Sequence, residues 1–193
     1  LICLCALAAA LGTMAHAQGD SSRHALLIAG LGGTPEYTGQ YHTWLFETRQ
    51  ALVERFMFAP EDVIVLADAP SGEETFIDDV STAENITAAF GRLAEQVSAR
   101  DDVYIILFGH GSFDGENAML NIPRQDLKDV EYAGLVDTID AHAIVFINTA
   151  SCSAPFITHL SAPNRIVITA TKSATERNET VFPEFLVEAL TSD

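Results

Sequence analysis

The chain contains five short, nearly continuous runs of apolar residues, and this pattern predicts β-strands that are buried on both faces of a sheet. The predicted strands are residues 24–29, 63–66, 103–108, 143–147 and 166–169. Elsewhere, apolar residues recur at the spacing of an amphipathic helix. The predicted helices are residues 41–56, 82–99, 125–139, 155–160 and 181–190. This alternation predicts an α/β fold: a three-layer α/β/α sandwich with a mainly parallel central sheet and right-handed crossovers.

The first 17 residues form a separate, uncharged segment without Asp, Glu, Lys or Arg. It is apolar and ends in Ala15-His16-Ala17, which has the small-residue spacing of a signal-peptide cleavage site. Because a basic start and an initiator Met are missing, we expect an N-terminally truncated signal peptide at 1–17 and a secreted or periplasmic protein. The alternative is a membrane helix, but the run is shorter than the roughly 20 residues that span a bilayer. We expect no stable membrane span after cleavage.

Residues 18–193 have the length of one domain and contain no repeat or linker. The last predicted helix ends the chain without a closing strand, so we expect the domain to be incomplete at its C-terminus. The formal net charge is -17, and such acidity disfavours nucleic acid and anionic membranes as partners. The oligomeric state is not predictable from these features.

Two candidate catalytic residues follow predicted strands. His110 comes after the strand at 103–108, and Cys152 comes after the strand at 143–147. Because ligands bind beyond the carboxyl ends of parallel strands, both side chains should lie at the same edge of the sheet. Cys152 is the only cysteine after residue 5, and Pro155 predicts a helix start that should lower the pKa of its thiol. We therefore predict a Cys152 nucleophile with a His110 partner.

Other cysteine chemistries fit the sequence less well. A phosphatase loop requires an Arg where Thr158 stands, and a thioredoxin pair requires a second Cys where Pro155 stands. His142 and His159 alone do not supply a zinc site. The segment 150–154, with small residues around Cys152, instead resembles a nucleophile elbow.

Four blocks of the sequence resemble the legumain-like cysteine peptidases, which have the caspase-hemoglobinase fold. The blocks are residues 25–30, 104–112, 145–153 and 164–171, and together they extend through nearly all of the predicted domain. A strand followed by His-Gly, and later a strand followed by a small-x-Cys turn, is the most specific part of the match. Residues 18–193 therefore resemble a caspase-like peptidase domain of a bacterial-type exported member.

The resemblance implies a cysteine endopeptidase with a peptide or protein substrate. Cys152 would attack the scissile carbonyl, and His110 would protonate the leaving amine. The backbone amides of Gly111 and Cys152 would form the oxyanion hole, and water would hydrolyse the acyl-enzyme. The resemblance implies no metal and no organic cofactor.

Three further positions are expected to contact the substrate: Ala150, Ser151 and Glu179. Ala150 stands where legumains carry a Glu of their asparagine-selective pocket, so asparagine specificity does not follow from the resemblance. Glu179 falls near a legumain pocket Ser, where a carboxylate could select Arg or Lys. An exposed role on a surface loop is the more common one for such a carboxylate.

Two other functions fit the sequence. One is a non-catalytic caspase-like module that binds peptides or partner proteins. The other is a cysteine amidase of the amidotransferase-like type, which places its histidine after the cysteine. His159 is the histidine that follows Cys152, and it is too close in sequence to reach back easily.

Overall fold

The computed structural model describes residues 21–68 and 75–192, and the predicted signal peptide lies outside these ranges. The strands of the main sheet are β1 Arg23–Ala29, β2 Val63–Ala67, β3 Asp79–Val80, β4 Asp102–Phe108, β8 Ala143–Asn148 and β9 Arg165–Thr169. The helices are α1 Pro35–Glu54, α2 Ala83–Gln96, α3 Asp129–Val136, α4 Pro155–Leu160 and α5 Phe182–Thr191. A smaller sheet consists of β5 Gly111–Phe113, β6 Ala118–Leu120 and β7 Leu127–Lys128.

The main sheet has the strand order β3-β2-β1-β4-β8-β9, and its strands pair in parallel. Helices α2, α3 and α4 cover one face, while α1 and α5 cover the other. The predicted α/β/α sandwich with a mainly parallel sheet is therefore confirmed. No helix within the described ranges is long and apolar enough to cross a membrane.

The central strand β1 anchors both layers of the core. Leu26 and Ile28 pack into the cluster that includes α2, α3 and α4, whereas Leu27 packs into the cluster beneath α1. All three side chains are fully buried, and burial of each stabilises the fold by about 1.5–3 kcal/mol. Burial on both faces fixes the positions of β1 and of its neighbour β4 in the sheet. It therefore also fixes the point at the sheet edge where β4 ends.

Strand β9 departs from the predicted burial on both faces. Its residues Ile166 and Ile168 are exposed, while Val167 packs against the core on the opposite face. The reason is the position of β9 at the edge of the sheet, because α1 packs over β1, β2 and β4.

Helix α1 begins earlier than its apolar pattern predicts. Thr34 caps the helix, since its side chain accepts a hydrogen bond from the amide of Tyr37, and Pro35 occupies the first turn. The first turn is mostly exposed, so it contributes little to the apolar pattern. This early start brings Tyr37 next to the end of β1.

The small sheet was not predicted. Residues 125–128 were assigned to a helix, but β7 pairs with β6 there, and α3 begins only at Asp129. The amide of Lys128 donates to the side chain of Glu131, which closes the first turn of α3. Strands of two or three residues are too short to give a clear periodic pattern.

Candidate active site

The two candidate catalytic residues leave neighbouring strands at the same edge of the sheet. Strand β4 ends at Phe108 and leads through Gly109 to His110, while β8 ends at Asn148 and leads to Cys152. Strands β4 and β8 pair directly along most of their length. The predicted placement of both residues beyond the carboxyl ends of adjacent strands is therefore confirmed.

The residues that follow His110 and precede Cys152 are joined by hydrogen bonds. The amide of Gly111 donates to the hydroxyl of Ser151 at 3.0 Å, and that hydroxyl donates to the carbonyl of Gly111 at 3.1 Å. A Cβ added to Gly111 would lie 2.0 Å from the carbonyl oxygen of Ser151. Only glycine permits this close approach, which fixes the loops of His110 and Cys152 relative to each other.

Cys152 is the most constrained residue of the site. Its φ angle is 56°, in the left-handed region that a residue with a side chain rarely adopts. The side chain is fully buried. The amide of Cys152 donates to the carbonyl of Glu176 at 2.8 Å, and the thiol donates to the same oxygen at 3.5 Å. A strained backbone at a nucleophile position is typical of functional sites.

The expectation of a lowered thiol pKa is wrong for this structure. Burial raises the pKa of Cys152; the nearby charge of Arg177 lowers it in part, and that of Glu176 raises it further. Helix α4 begins at Pro155 and has only six residues, so its N-terminus does not outweigh the burial.

Buried polar groups hold the turn that carries Cys152. The amide of Ala150 donates to the side chain of Asn148 at 3.0 Å. The hydroxyl of Ser153 accepts from the amides of Ala170 and Thr171 at 3.1 and 3.3 Å. The turn is thus attached both to its own strand and to the end of β9. Sequence reasoning missed Ser153, although a small hydroxyl residue directly after the candidate nucleophile was a signal.

Two of the three positions expected to contact substrate have buried side chains. Ala150 belongs to the hydrophobic core, and the hydroxyl of Ser151 is occupied by Gly111. These side chains are therefore not available to a substrate in this conformation. Glu179, in contrast, is exposed and lines a cavity of about 280 Å³ together with residues of α1.

Two tyrosines from the start of α1 contact the ring of His110. The Tyr37 ring meets it edge-on with 4.9 Å between centroids, and the Tyr41 ring lies at 5.8 Å. The hydroxyl of Tyr37 is hydrogen-bonded to Glu179, and this bond, with the charge of Glu179, raises the pKa of Tyr37. Sequence reasoning missed both tyrosines. The Thr34-Pro35 cap was the signal that could have placed Tyr37 in a first helical turn near His110.

A loop between β9 and α5 contacts Cys152 through the carbonyl of Glu176. Residues 172–181, named here the latch loop, run from the end of β9 to the start of α5. A cavity of about 720 Å³ lies along this loop. Its lining residues are Ala170, Thr171, Thr175, Glu176, Arg177, Asn178, Glu179, Thr180, Val181, Phe182 and Phe185. The candidate substrate surface therefore consists mainly of latch-loop residues.

The glycine-containing segment after β1 is connected to the site by backbone hydrogen bonds. The amide of Leu31 donates to the carbonyl of Asn121 at 2.8 Å, and the amide of Asn121 donates to the carbonyl of His110 at 2.9 Å. A Cβ on Gly30 would lie 2.3 Å from the carbonyl oxygen of Asn121. The end of β1 is thereby connected through Asn121 to the backbone of His110.

The two histidines considered for zinc each lie beside a different aspartate. His142 contacts Asp102 at 2.9 Å, and His159 lies 3.8 Å from Asp129. Within the described residues, no group of three or more His, Cys, Asp or Glu side chains could hold a metal ion.

Comparison with models of known protein families finds no match to this chain, and a search of curated proteins returns none either.

Proposed function

We propose that the protein is a cysteine peptidase that hydrolyses peptide bonds through Cys152 and His110. One observation carries the proposal. Cys152 lies on a strained turn beyond β8, and His110 follows the adjacent strand β4, with the loops of both residues joined through Gly111 and Ser151. A nucleophile and a proton carrier on adjacent loops, held by rigid strands, are what acyl transfer requires.

The reaction follows from these groups. His110 removes the proton of the Cys152 thiol as the sulfur forms a bond to the carbonyl carbon of the substrate, and the electron pair of the carbonyl moves to its oxygen. Amides of Gly111 and Cys152 stabilise this oxyanion. The bond to nitrogen then breaks, and His110 gives a proton to the leaving amine. His110 next removes a proton from water, which attacks the thioester; the bond to sulfur breaks, the acid is released, and His110 returns its proton to the sulfur to restore the thiol.

The substrate is proposed to be a peptide or protein outside the cytoplasm, on the strength of the signal-like segment at 1–17. The proposed reaction requires no cofactor, because its nucleophile and its acid are both side chains. The tyrosines on α1 support the role of His110, since edge-on ring contacts restrict the orientation of its imidazole.

A peptide library with mass-spectrometric detection tests the proposal. Cys152→Ala and His110→Gln should each abolish cleavage, while circular dichroism remains that of the parent. His159→Gln is the matched control, because this histidine pairs with Asp129 on α3, and it should cleave at the parental rate. Cleavage by Cys152→Ala at the parental rate would rule out the proposal, and loss of activity in Cys152→Ala and His159→Gln but not in His110→Gln would favour the amidase reaction.

A non-catalytic binding module is the second candidate. It is favoured by the full burial of Cys152 and by the raised pKa of its thiol. Peptide acyloxymethyl ketones separate the two functions, since they label only a nucleophile that attacks a bound peptide. Labelling of Cys152 supports the peptidase, whereas binding of peptides without labelling supports the module.

A further inference from the structure

We propose that the latch loop holds this site in a closed state, in which the carbonyl of Glu176 occupies the position of the substrate carbonyl. A substrate peptide binds only after this carbonyl has been displaced. The effect of the closure on catalysis rests on the proposed peptidase function. The closure itself limits the access of any reagent to the thiol of Cys152.

The first step of the argument is the contact at Cys152. One oxygen, the carbonyl of Glu176, accepts from the amide of Cys152 at 2.8 Å and from its thiol at 3.5 Å. The amide is the proposed oxyanion donor, and the sulfur is the proposed nucleophile. The oxygen therefore engages both groups that an incoming carbonyl would use.

The second proposed oxyanion donor is occupied as well. The amide of Gly111 donates to the hydroxyl of Ser151 at 3.0 Å. Neither proposed amide donor has a hydrogen atom left for a substrate oxygen. Catalysis thus requires a change at this site, and the latch loop is the segment whose movement frees Cys152.

Hydrogen bonds within the latch loop position the carbonyl of Glu176. The side chain of Glu176 accepts from the amide of Lys172 at 3.2 Å and from the hydroxyl of Ser173 at 3.0 Å. These bonds fold the loop into a compact turn whose carbonyl meets Cys152. Further along, the hydroxyl of Thr180 donates to the carbonyl of Thr149 at 2.5 Å, which attaches the loop to the end of β8.

The same loop has room to move. Arg177, Asn178 and Glu179 are exposed, and the cavity of about 720 Å³ lies along the loop. A segment outside the sheet, with exposed side chains and a void beside it, opens at low cost compared with the core. The apparent affinity for substrate then equals the affinity of the open state multiplied by the fraction of molecules that are open.

Alkylation of Cys152 by iodoacetamide tests the closure without any assumption about catalysis. We expect the folded protein to react at least about tenfold more slowly than the chain unfolded in urea at the same pH, as buried thiols do. Thr180→Val removes the attachment to Thr149 and should accelerate alkylation about threefold to tenfold, the factor expected for one lost hydrogen bond. Ser173→Ala, which removes one of the two hydrogen bonds to the side chain of Glu176, should act in the same direction if Thr180→Val does not fold.

Thr87→Val is the matched control, because Thr87 donates an equivalent hydroxyl hydrogen bond to Ala83 on the exposed side of α2. It should leave the alkylation rate unchanged. A parental rate equal to that of the unfolded chain would overturn the closure, as would unchanged rates in both latch variants.

Peptide cleavage distinguishes this closure from the proposed function. If Thr180→Val accelerates alkylation and also raises kcat/KM by a similar factor, both proposals are supported. If it accelerates alkylation but no variant cleaves peptides, the closure stands and the peptidase assignment fails. If the parent cleaves peptides and its thiol reacts as in the unfolded chain, the peptidase stands and the closure fails.

Discussion

The ring of Tyr37 meets the ring of His110 edge-on, at 4.9 Å between centroids, and the Tyr37 hydroxyl is hydrogen-bonded to Glu179. One side chain of α1 thus connects the proposed proton carrier to the latch loop. The ring of Tyr37 restricts the orientation of the His110 imidazole, while the hydroxyl of Tyr37 restricts the latch loop. Two substitutions of Tyr37 can therefore separate these roles.

Tyr37→Phe keeps the ring and removes the bond to Glu179. We expect its kcat to stay within about threefold of the parent, because the lost hydrogen bond restrains the latch loop rather than the imidazole. Tyr37→Leu removes the ring, and we expect kcat to fall about tenfold to hundredfold, the usual cost of a misplaced catalytic group. Steady-state kinetics on a cleaved peptide measure both. Equal losses in the two variants would assign the effect to the hydroxyl instead.

Gly111→Ala should disrupt the site, because its Cβ would lie 2.0 Å from the carbonyl oxygen of Ser151. Backbone atoms cannot give way as a flexible side chain does, so we expect a loss of about 1–3 kcal/mol in the free energy of unfolding and loss of peptide cleavage. Gly91→Ala is the control, since nothing lies within 4 Å of its added Cβ in α2. The control should gain about 0.5–1 kcal/mol. Urea unfolding compares the two, and equal stability would contradict the clash.

Tyr132→Phe should stabilise the protein. The ring of Tyr132 packs against Phe146 and Phe156, but its buried hydroxyl has no hydrogen-bond partner among the described residues. Because an unpaired buried hydroxyl costs about 1–3 kcal/mol, we expect the free energy of unfolding to rise by about 1 kcal/mol. Tyr132→Leu, which also removes the ring, should be destabilising. A loss of stability in Tyr132→Phe, measured by urea unfolding, would indicate that the hydroxyl is paired.

The strands and the placement of the site could be predicted from the sequence, because burial on both faces leaves an uninterrupted apolar run in β1, β2, β4 and β8; the edge strand β9 has a similar apolar run although Ile166 and Ile168 are exposed. The five predicted strands agree with the structure to within one residue at each end. Polar side chains directly after β4 and β8 then had to lie at one edge of the sheet. The start of α1 was missed, because its exposed first turn depends on the cap at Thr34 rather than on apolar spacing.

The burial and the raised pKa of Cys152 could not be predicted. Pro155 correctly indicated a helix start. The burial of Cys152, however, depends on the latch loop, whose Glu176 follows Cys152 by more than twenty positions. The contact is made by a backbone carbonyl, and every residue type carries one. No residue pattern could therefore indicate that Glu176 would meet the thiol.

The raised pKa of Cys152 gives a pH dependence of stability whose sign can be measured. Burial favours the neutral thiol in the folded protein, so the unfolded chain releases this proton at a lower pH than the folded protein. The stability that the neutral thiol contributes is fully present below the unfolded pKa, about 8.5. It is lost as the pH rises further toward the folded pKa.

Urea unfolding of the parent and of Cys152→Ser from pH 7 to pH 10 isolates this contribution, because serine does not titrate in that range. We expect the difference in unfolding free energy, parent minus variant, to be constant up to about pH 8 and to fall above the unfolded pKa of about 8.5. Titration of the other groups, including the tyrosines, is common to both proteins and cancels in the difference. A difference that rises with pH would mean that the thiol has a lowered pKa in the folded protein. The short helix α4 would then outweigh the burial imposed by Glu176, contrary to the closed site described above.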